Sequence, residues 1–293
     1  MFTHHPSLSL RAYAKINWFL KVLELRADGY HEIRSLIQKV TLYDVLEFSL
    51  SDGLTLKTDM ALPIEDNLVY KTMRLMKDRY NVKDGVTIRL KKDIPIGAGL
   101  GGGSSDAAVT LIGLNELWSL NLSHNDLFGL AEGLGSDVPF FLHGAMAYVE
   151  GRGERVAECN AINPIHILLV KPHLSISTAW AYRRLSELRA GELTKIGDNV
   201  DNIEAFINCV RRVDIGCIGR YSDTALNDLE SASLREYPVI GEIKYRLLQE
   251  GAVFSLMSGS GPTVFGVFES EGDAMEASRS FGDYWTAVVK TII

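Results

Sequence analysis

Residues 84–118 read DGVTIRLKKDIPIGAGLGGGSSDAAVTLIGLNELW. The opening part, up to Pro95, reads as a strand. The closing part places Ala107, Leu111, Leu114 and Trp118 at i, i+4, i+7 and i+11, which is one apolar stripe of a helix. Ser104 or Ser105 is its expected N-cap. Between strand and helix lies PIGAGLGGGSS, residues 95–105, with glycine at five of eleven positions. Glycine loses more entropy on folding than any other residue, so such a concentration implies something that side chains would block. A helix start carries four amide N–H groups without intrahelical partners. They sit at the positive end of a dipole worth roughly half an elementary charge. A strand, then glycines, then serines opening a helix, is an arrangement that wraps a phosphate.

Three other readings of the run compete with this one. Gly97 and Gly102 have the spacing of a P-loop, but Gly103 stands where that motif needs lysine. Gly97, Gly99 and Gly102 match the dinucleotide pattern G-x-G-x-x-G, which also requires an acidic residue about 20 positions later, ending a strand. There the chain is instead leaving a helix, at Asn121-Leu122-Ser123. A flexible linker does not run straight from a strand into a well-formed amphipathic helix.

Outward from the run, residues 7–25 alternate apolar and polar and read as one or two strands. Asp28-Gly29 marks a turn. Residues 36–50 read as two further short strands. Residues 66–80 carry Leu68, Thr72, Leu75 and Met76 at helical spacing, with Asp66 as the expected N-cap. Residues 124–134 form a second helix that stops at Gly135, and 136–144 restart with Ser136 in N-cap position. The chain turns polar at EGRGERVAECNAINP before Pro164, which predicts a boundary near 155–163 and domains of 1–158 and 159–293. Beyond it, 165–172, 252–258, 263–268 and 284–293 read as strands, and 177–190 and 240–250 as helices. The pattern is α+β rather than a strict βαβ repeat.

The 293 residues, 46% hydrophobic and 23% charged, suit a globular protein with a sizeable core. No apolar run approaches the ~18 residues of a membrane span. The N-terminus has no secretory pattern, so the expected compartment is the cytoplasm. A net charge of −7 argues against a nucleic-acid partner. Cys159, Cys209 and Cys217 are few and scattered, and reduced thiols are expected.

PIGAGLGGGSSDAA resembles the central motif of the GHMP kinases, named for galactokinase and the homoserine, mevalonate and phosphomevalonate kinases. AYAKINWFLKV with RADGYHEI, GLGSDVPFFLHG with EGRGE, and LMSGSGPTVFGVF resemble further motifs of one branch, in that branch's order, over about residues 11 to 268. The resemblance implies an N-terminal ribosomal-S5-domain-2-like domain and a C-terminal ferredoxin-like domain with the active site between them. It implies ATP and Mg²⁺. The implied reaction phosphorylates the 2-hydroxyl of a cytidine diphosphate-linked methylerythritol in the non-mevalonate isoprenoid pathway. The partner is thus a small molecule, not nucleic acid or membrane, and the chain is a monomer or homodimer.

By the same resemblance, Lys15 and Asp137 are catalytic. Asp137 accepts the hydroxyl proton and Lys15 keeps it ionised. Period-two alternation puts Lys15 and Asn17 on one strand face. Pro95, Ile96, Gly97, Ala98, Gly99, Leu100, Gly101, Gly102, Gly103, Ser104 and Ser105 hold ATP, and Asn67 lies near its base or simply starts a helix. Ser104 or Ser105 helps hold Mg²⁺. Asp106 points away from the anion or towards a metal. Asn17, Tyr30, His31, Tyr182, Gly259 and Ser260 face the acceptor, with Trp180 a further candidate beside Tyr182.

Overall fold

The computed structural model describes residues 7–60, 62–191, 200–222 and 227–293. Two compact units emerge, and neither is one continuous stretch. Unit 1 takes Met1–Ala14, Leu42–Ile96 and Gly101–Gly144, and unit 2 takes Lys15–Thr41, Gly97–Leu100 and Ala145–Ile293. In chain order the elements begin with β1 (Ser7–Leu25), β2 (His31–Ser51), β3 (Leu54–Lys57), α1 (Leu68–Arg79) and β4 (Gly85–Lys91). Next come α2 (Gly102–Leu117), α3 (His124–Leu134), α4 (Val138–Phe141), β5 (Met146–Gly151), β6 (Arg155–Cys159) and β7 (His166–Lys171). Then follow α5 (Thr178–Gly191), α6 (Val200–Arg212), α7 (Ile215–Arg220), α8 (Asp228–Glu236) and α9 (Pro238–Gln249). The chain closes with β8 (Phe254–Met257), β9 (Val264–Phe268), α10 (Glu271–Ser278) and β10 (Trp285–Lys290).

The α+β expectation holds. In unit 1 the end of β2 pairs antiparallel with β4, Phe48 opposite Ile88, and β3 adds parallel to β4. In unit 2 the start of β2 pairs antiparallel with β5, which pairs with β6. The second sheet, in unit 2, is antiparallel in the order β10-β7-β9-β8. Numbered within that sheet, the order is 4-1-3-2, the ferredoxin-like arrangement. Where two short strands are expected over 36–50, β2 is one strand, because it finds a second partner where the first ends and its backbone groups stay satisfied.

α2 is buried from Ser105 to Leu111, so it is a core helix rather than a surface one. Gly113 lies bare against the Phe48 ring, where a Cβ would come within 2.5 to 2.8 Å. In unit 2, Trp18 packs edge-on to Phe265 at 5.7 Å and against Phe254 at 6.2 Å, its indole N–H donating to Gln38 Oε1 at 2.8 Å. Fully burying one such ring contributes about 1.5–3 kcal/mol.

Several start signals sit elsewhere than expected. Asp66 closes a short 3₁₀ turn, Ile64–Asp66, and the cap of α1 is Asn67, whose Oδ1 accepts from Val69 N at 2.9 Å. The buried face of α1 is Val69, Thr72, Met73 and Met76, one step round from the expected stripe. Neither Ser104 nor Ser105 caps α2, because left-handed Gly101 (φ 69°) starts the helix at Gly102 and leaves both serines inside its first turns. Ser136 is not the cap of α4, because the helix begins at Val138 and its N-cap position falls on Asp137. Gly135 ends α3 as expected, and Ser123 with Asp126 forms a reciprocal capping box at its start. The cysteines also differ from expectation. The turn between α6 and α7 brings Cys209 and Cys217 to a Cα separation of 5.6 Å, within disulfide reach, and they are bonded, leaving Cys159 free.

Candidate active site

The glycine run is shared between the units, 97–100 counted with unit 2 and 101–105 with unit 1. Pro95 is half-buried and Ile96 exposed at its entrance. The first helical bond of α2 is Ser105 N–H to Gly101 C=O at 2.9 Å, so the amides of Gly102, Gly103 and Ser104 precede the ladder and are available to an anion. Not every glycine serves that end. Gly99, at φ +76°, abuts the carbonyl of Ser258, and a Cβ there would stand 2.8 Å from Gly261 N. At Gly102 a Cβ would meet Ile94 at 3.0 Å and Lys92 Nζ at 3.2 Å. Gly103 is exposed, with only Leu68 in reach at 3.8 Å. Part of the run is therefore bare because the protein itself fills the space.

Asp106 turns away from the helix mouth and into unit 1. Its Oδ2 accepts from Lys92 Nζ at 2.8 Å, and Lys92 also bonds Asp44. Asp44 is fully buried and its other oxygen accepts from the amides of Asp93 and Ile94 at 2.7 and 2.8 Å. One ammonium thus lies between two carboxylates beneath the loop. Burial pushes the Asp106 carboxyl up to about 7; Lys92 opposes the rise and Asp44 adds to it. Burial works against the Lys92 charge, yet the two carboxylates outweigh it and hold its pKa above the usual value. Sequence reasoning missed this triad, whose two bonded pairs are separated by 48 and 14 residues.

Asn67 is buried, with Oδ1 on the α1 cap and Nδ2 on Met60 Sδ at 3.5 Å, which is the plain helix-start arrangement. Asp137 is half-buried at the head of α4 and makes no side-chain cap bond. Among the described residues no group of three or more His, Cys, Asp or Glu forms a metal cage. The Oδ1 of Asp106 is shut from solvent as well. A Mg²⁺ ion at the loop would therefore rest mainly on phosphate oxygens rather than in a cage of protein carboxylates.

In unit 2, Lys15 is 3% exposed. Its backbone N–H donates to Leu100 C=O at 2.9 Å, and its Nζ donates to Asn17 Oδ1 at 2.6 Å. Asn17 Nδ2 donates to Ser35 Oγ at 2.9 Å, and Ser35 donates to Phe19 C=O. This chain of donors leaves the Asn17 amide one orientation, oxygen towards the lysine. Gly259 closes over the same spot, where a Cβ would lie 3.0 Å from Lys15 Nζ and 2.9 Å from Gly99 O. The hydroxyl of Ser260 meets that of Thr178 at 3.0 Å.

His31 and Tyr182 are brought together, with ring centroids 5.4 Å apart and planes 24° from parallel. Ser186 donates its proton to Tyr182 C=O, so it accepts from His31 Nε2 at 3.0 Å and the histidine carries its proton on that nitrogen. Burial, then the charge of Arg189, lower the His31 pKa, leaving a neutral imidazole at pH 7. Tyr30 is half-exposed with the Arg152 guanidinium 5.1 Å over its ring. Trp180 packs on Tyr237 at 5.5 Å, at the edge of the core.

Residues 67–145 match the model of the GHMP kinases N terminal domain, and 203–287 that of the GHMP kinases C terminal. The 4-diphosphocytidyl-2-C-methyl-D-erythritol kinase of Thermodesulfovibrio yellowstonii is 44% identical over 98% of each chain. The chain belongs to the GHMP kinase family. It is an ATP-using kinase of that family. The same-named protein of Acetivibrio thermocellus is 40% identical over 92% of each chain. The crystal structure of a 4-(cytidine 5'-diphospho)-2C-methyl-D-erythritol kinase aligns at a TM-score of 0.78 and 33% identity, over 96% of this chain and 99% of that one. The homoserine kinase from Cytophaga hutchinsonii, at a TM-score of 0.76 and 20% identity over 100% of this chain and 96% of that one, shares the GHMP kinase fold.

Proposed function

We propose that this GHMP kinase transfers the γ-phosphoryl group of ATP to the 2-hydroxyl of 4-diphosphocytidyl-2-C-methyl-D-erythritol, in the non-mevalonate route to isoprenoid precursors. The observation that carries the acceptor assignment is the stacked His31–Tyr182 pair, a flat surface with a hydrogen-bonding edge of the kind that holds a nucleobase. The names of the relatives at 40–44% identity support the same acceptor.

In this reading the amides of Gly102 to Ser104 hold the triphosphate, as dipole and unpaired N–H groups favour. Residues 95–105 and Asn67 make up the nucleotide side, and Asn17, Tyr30, His31, Tyr182, Gly259 and Ser260 the acceptor side. Asp137 accepts the proton of the acceptor hydroxyl as its oxygen bonds to the γ-phosphorus and the bond to the β–γ bridging oxygen breaks, releasing ADP. Lys15, held by Asn17, supplies positive charge that offsets the charge of the transferring group. Ser104 or Ser105 offers a hydroxyl to Mg²⁺, which when bound neutralises charge on the phosphate oxygens. The functional division falls at 1–158 and 159–293, the protein acts in the cytoplasm, and neither nucleic acid nor membrane is a partner.

The test is ATP turnover with the cytidyl acceptor, R-mevalonate and homoserine in parallel. Turnover confined to the cytidyl acceptor is expected. Equal or faster turnover of either other alcohol would overturn the assignment.

A further inference from the structure

Asn227 is 4% exposed and stands at the N-cap of α8. Its Oδ1 accepts from Leu229 N–H at 3.0 Å, and its Nδ2 donates to two carbonyls, Met257 at 2.8 Å and Gly259 at 2.7 Å. Both protons and the oxygen are thereby committed, so the amide has one orientation. One turn on, Glu230 accepts from Met257 N–H at 2.9 Å and bonds Lys244. Between them, Asp228 accepts from Val22 N–H at 2.8 Å and from Arg189 at 2.8 Å. The start of α8 therefore grips both the last glycine loop and β1, the strand that carries Lys15.

The loop so gripped is tightly placed. Ser258 Oγ donates to Gly99 C=O at 3.1 Å, and Gly261 N–H closes a turn on Ser258 C=O at 2.9 Å. Gly259, whose carbonyl Asn227 holds, is the residue whose Cα faces Lys15 Nζ and Gly99 O. We infer that Asn227 is a positioning residue for phosphoryl transfer: its side-chain amide pins the Met257–Gly261 loop so that Gly259 and Gly99 hold Lys15 in its working place. The inference rests on the kinase reading above. Asn227 reaches no reacting atom itself; it acts through Gly259.

Serine and aspartate are both good N-caps, so both variants keep the α8 cap; Asn227→Ser takes away the two amide donors, and Asn227→Asp goes further by setting a carboxylate oxygen against the two carbonyls. Misplacing a catalytic group by a fraction of an ångström to 1 Å costs up to about 10²-fold in rate, so kcat should fall by roughly ten- to a hundredfold in both variants. The triphosphate amides of Gly102 to Ser104 belong to unit 1, so KM for ATP should stay within about threefold. Hydrogen exchange supplies a readout independent of activity. The peptide over 257–262 should exchange about tenfold faster, while peptides from β7 and α9 keep their protection.

Three results would each overturn the inference: kcat within twofold of wild type in both folded variants, unchanged exchange over 257–262, or protection lost across β7 and α9 as well. A wild-type protein that fails to phosphorylate the cytidyl acceptor would sink the kinase reading alone. The exchange experiment would still decide whether Asn227 holds the loop.

Discussion

The buried ammonium of Lys15 is held by a relay that runs Phe19 C=O, Ser35, Asn17, Lys15. Alternation along β1 foretells that Lys15 and Asn17 share a face; the partner that orients Asn17 comes from β2, 18 residues on. Asp137 stands at the N-cap position of α4 but makes no side-chain cap bond. General-base help is worth roughly 10²- to 10⁴-fold, so Asp137→Asn should lower kcat on the order of 10²-fold or more while leaving ATP affinity near wild type. Steady-state kinetics with varied ATP would check it, and a kcat within a few-fold of wild type would remove Asp137 from the base role. Stacking on a base is worth about 1–3 kcal/mol, so Tyr182→Ala should raise KM for the cytidyl acceptor roughly tenfold or more. KM for ATP should not change, and an equal rise in both would count against a nucleobase platform.

The strand, glycine loop and helix of 85–117 form one continuous device, and much of it is legible locally. Period two gives way to glycine, and glycine to period 3.6. What is not legible is the support beneath it. Asp44 and Lys92 look like ordinary surface charges in sequence, and Asp106 like a group turned from an anion or towards a metal, yet all are buried or nearly so under the loop. Removing the one cation leaves two buried carboxylates facing each other. Breaking a buried ion pair costs about 3–5 kcal/mol, so Lys92→Met should lose that much stability. Urea denaturation of the purified variant would measure it, and a loss under about 1 kcal/mol would show that the triad is not holding the loop. The helices α6, α7, α8 and α10 escape sequence reading for a related reason. The caps of α7, α8 and α10, which are Asp214, Asn227 and Ser270, are legible only once the helix that follows is known.

At the scale of the whole molecule, each unit is assembled from segments far apart in the chain, so no single composition shift marks it. Lys39, partly buried in unit 2, has its pKa lowered to about 8 by burial, against the opposing pull of Glu158. An ammonium whose folded pKa lies below its unfolded value binds more protons when unfolded. Stability should therefore rise between about pH 8 and pH 10.5 from this group. Lys39→Met should raise stability near pH 7 by roughly 1–3 kcal/mol and flatten that rise, as melts across pH 7 to 10.5 would record. A variant less stable than wild type at pH 7 would show instead that the ammonium is a net stabiliser. The sequence by itself determined the kinase family, the α+β class and the phosphate-type helix start, because each is written in residues close together in the chain. Only the tertiary structure decided which glycines are bare to make room for Ser258 or Lys92. It alone set His31 on Tyr182 and placed Asn227 under Gly259. Those contacts depend on which surfaces meet when distant segments pack, and hydrogen bonding and steric exclusion at such meetings leave no periodic trace along the chain.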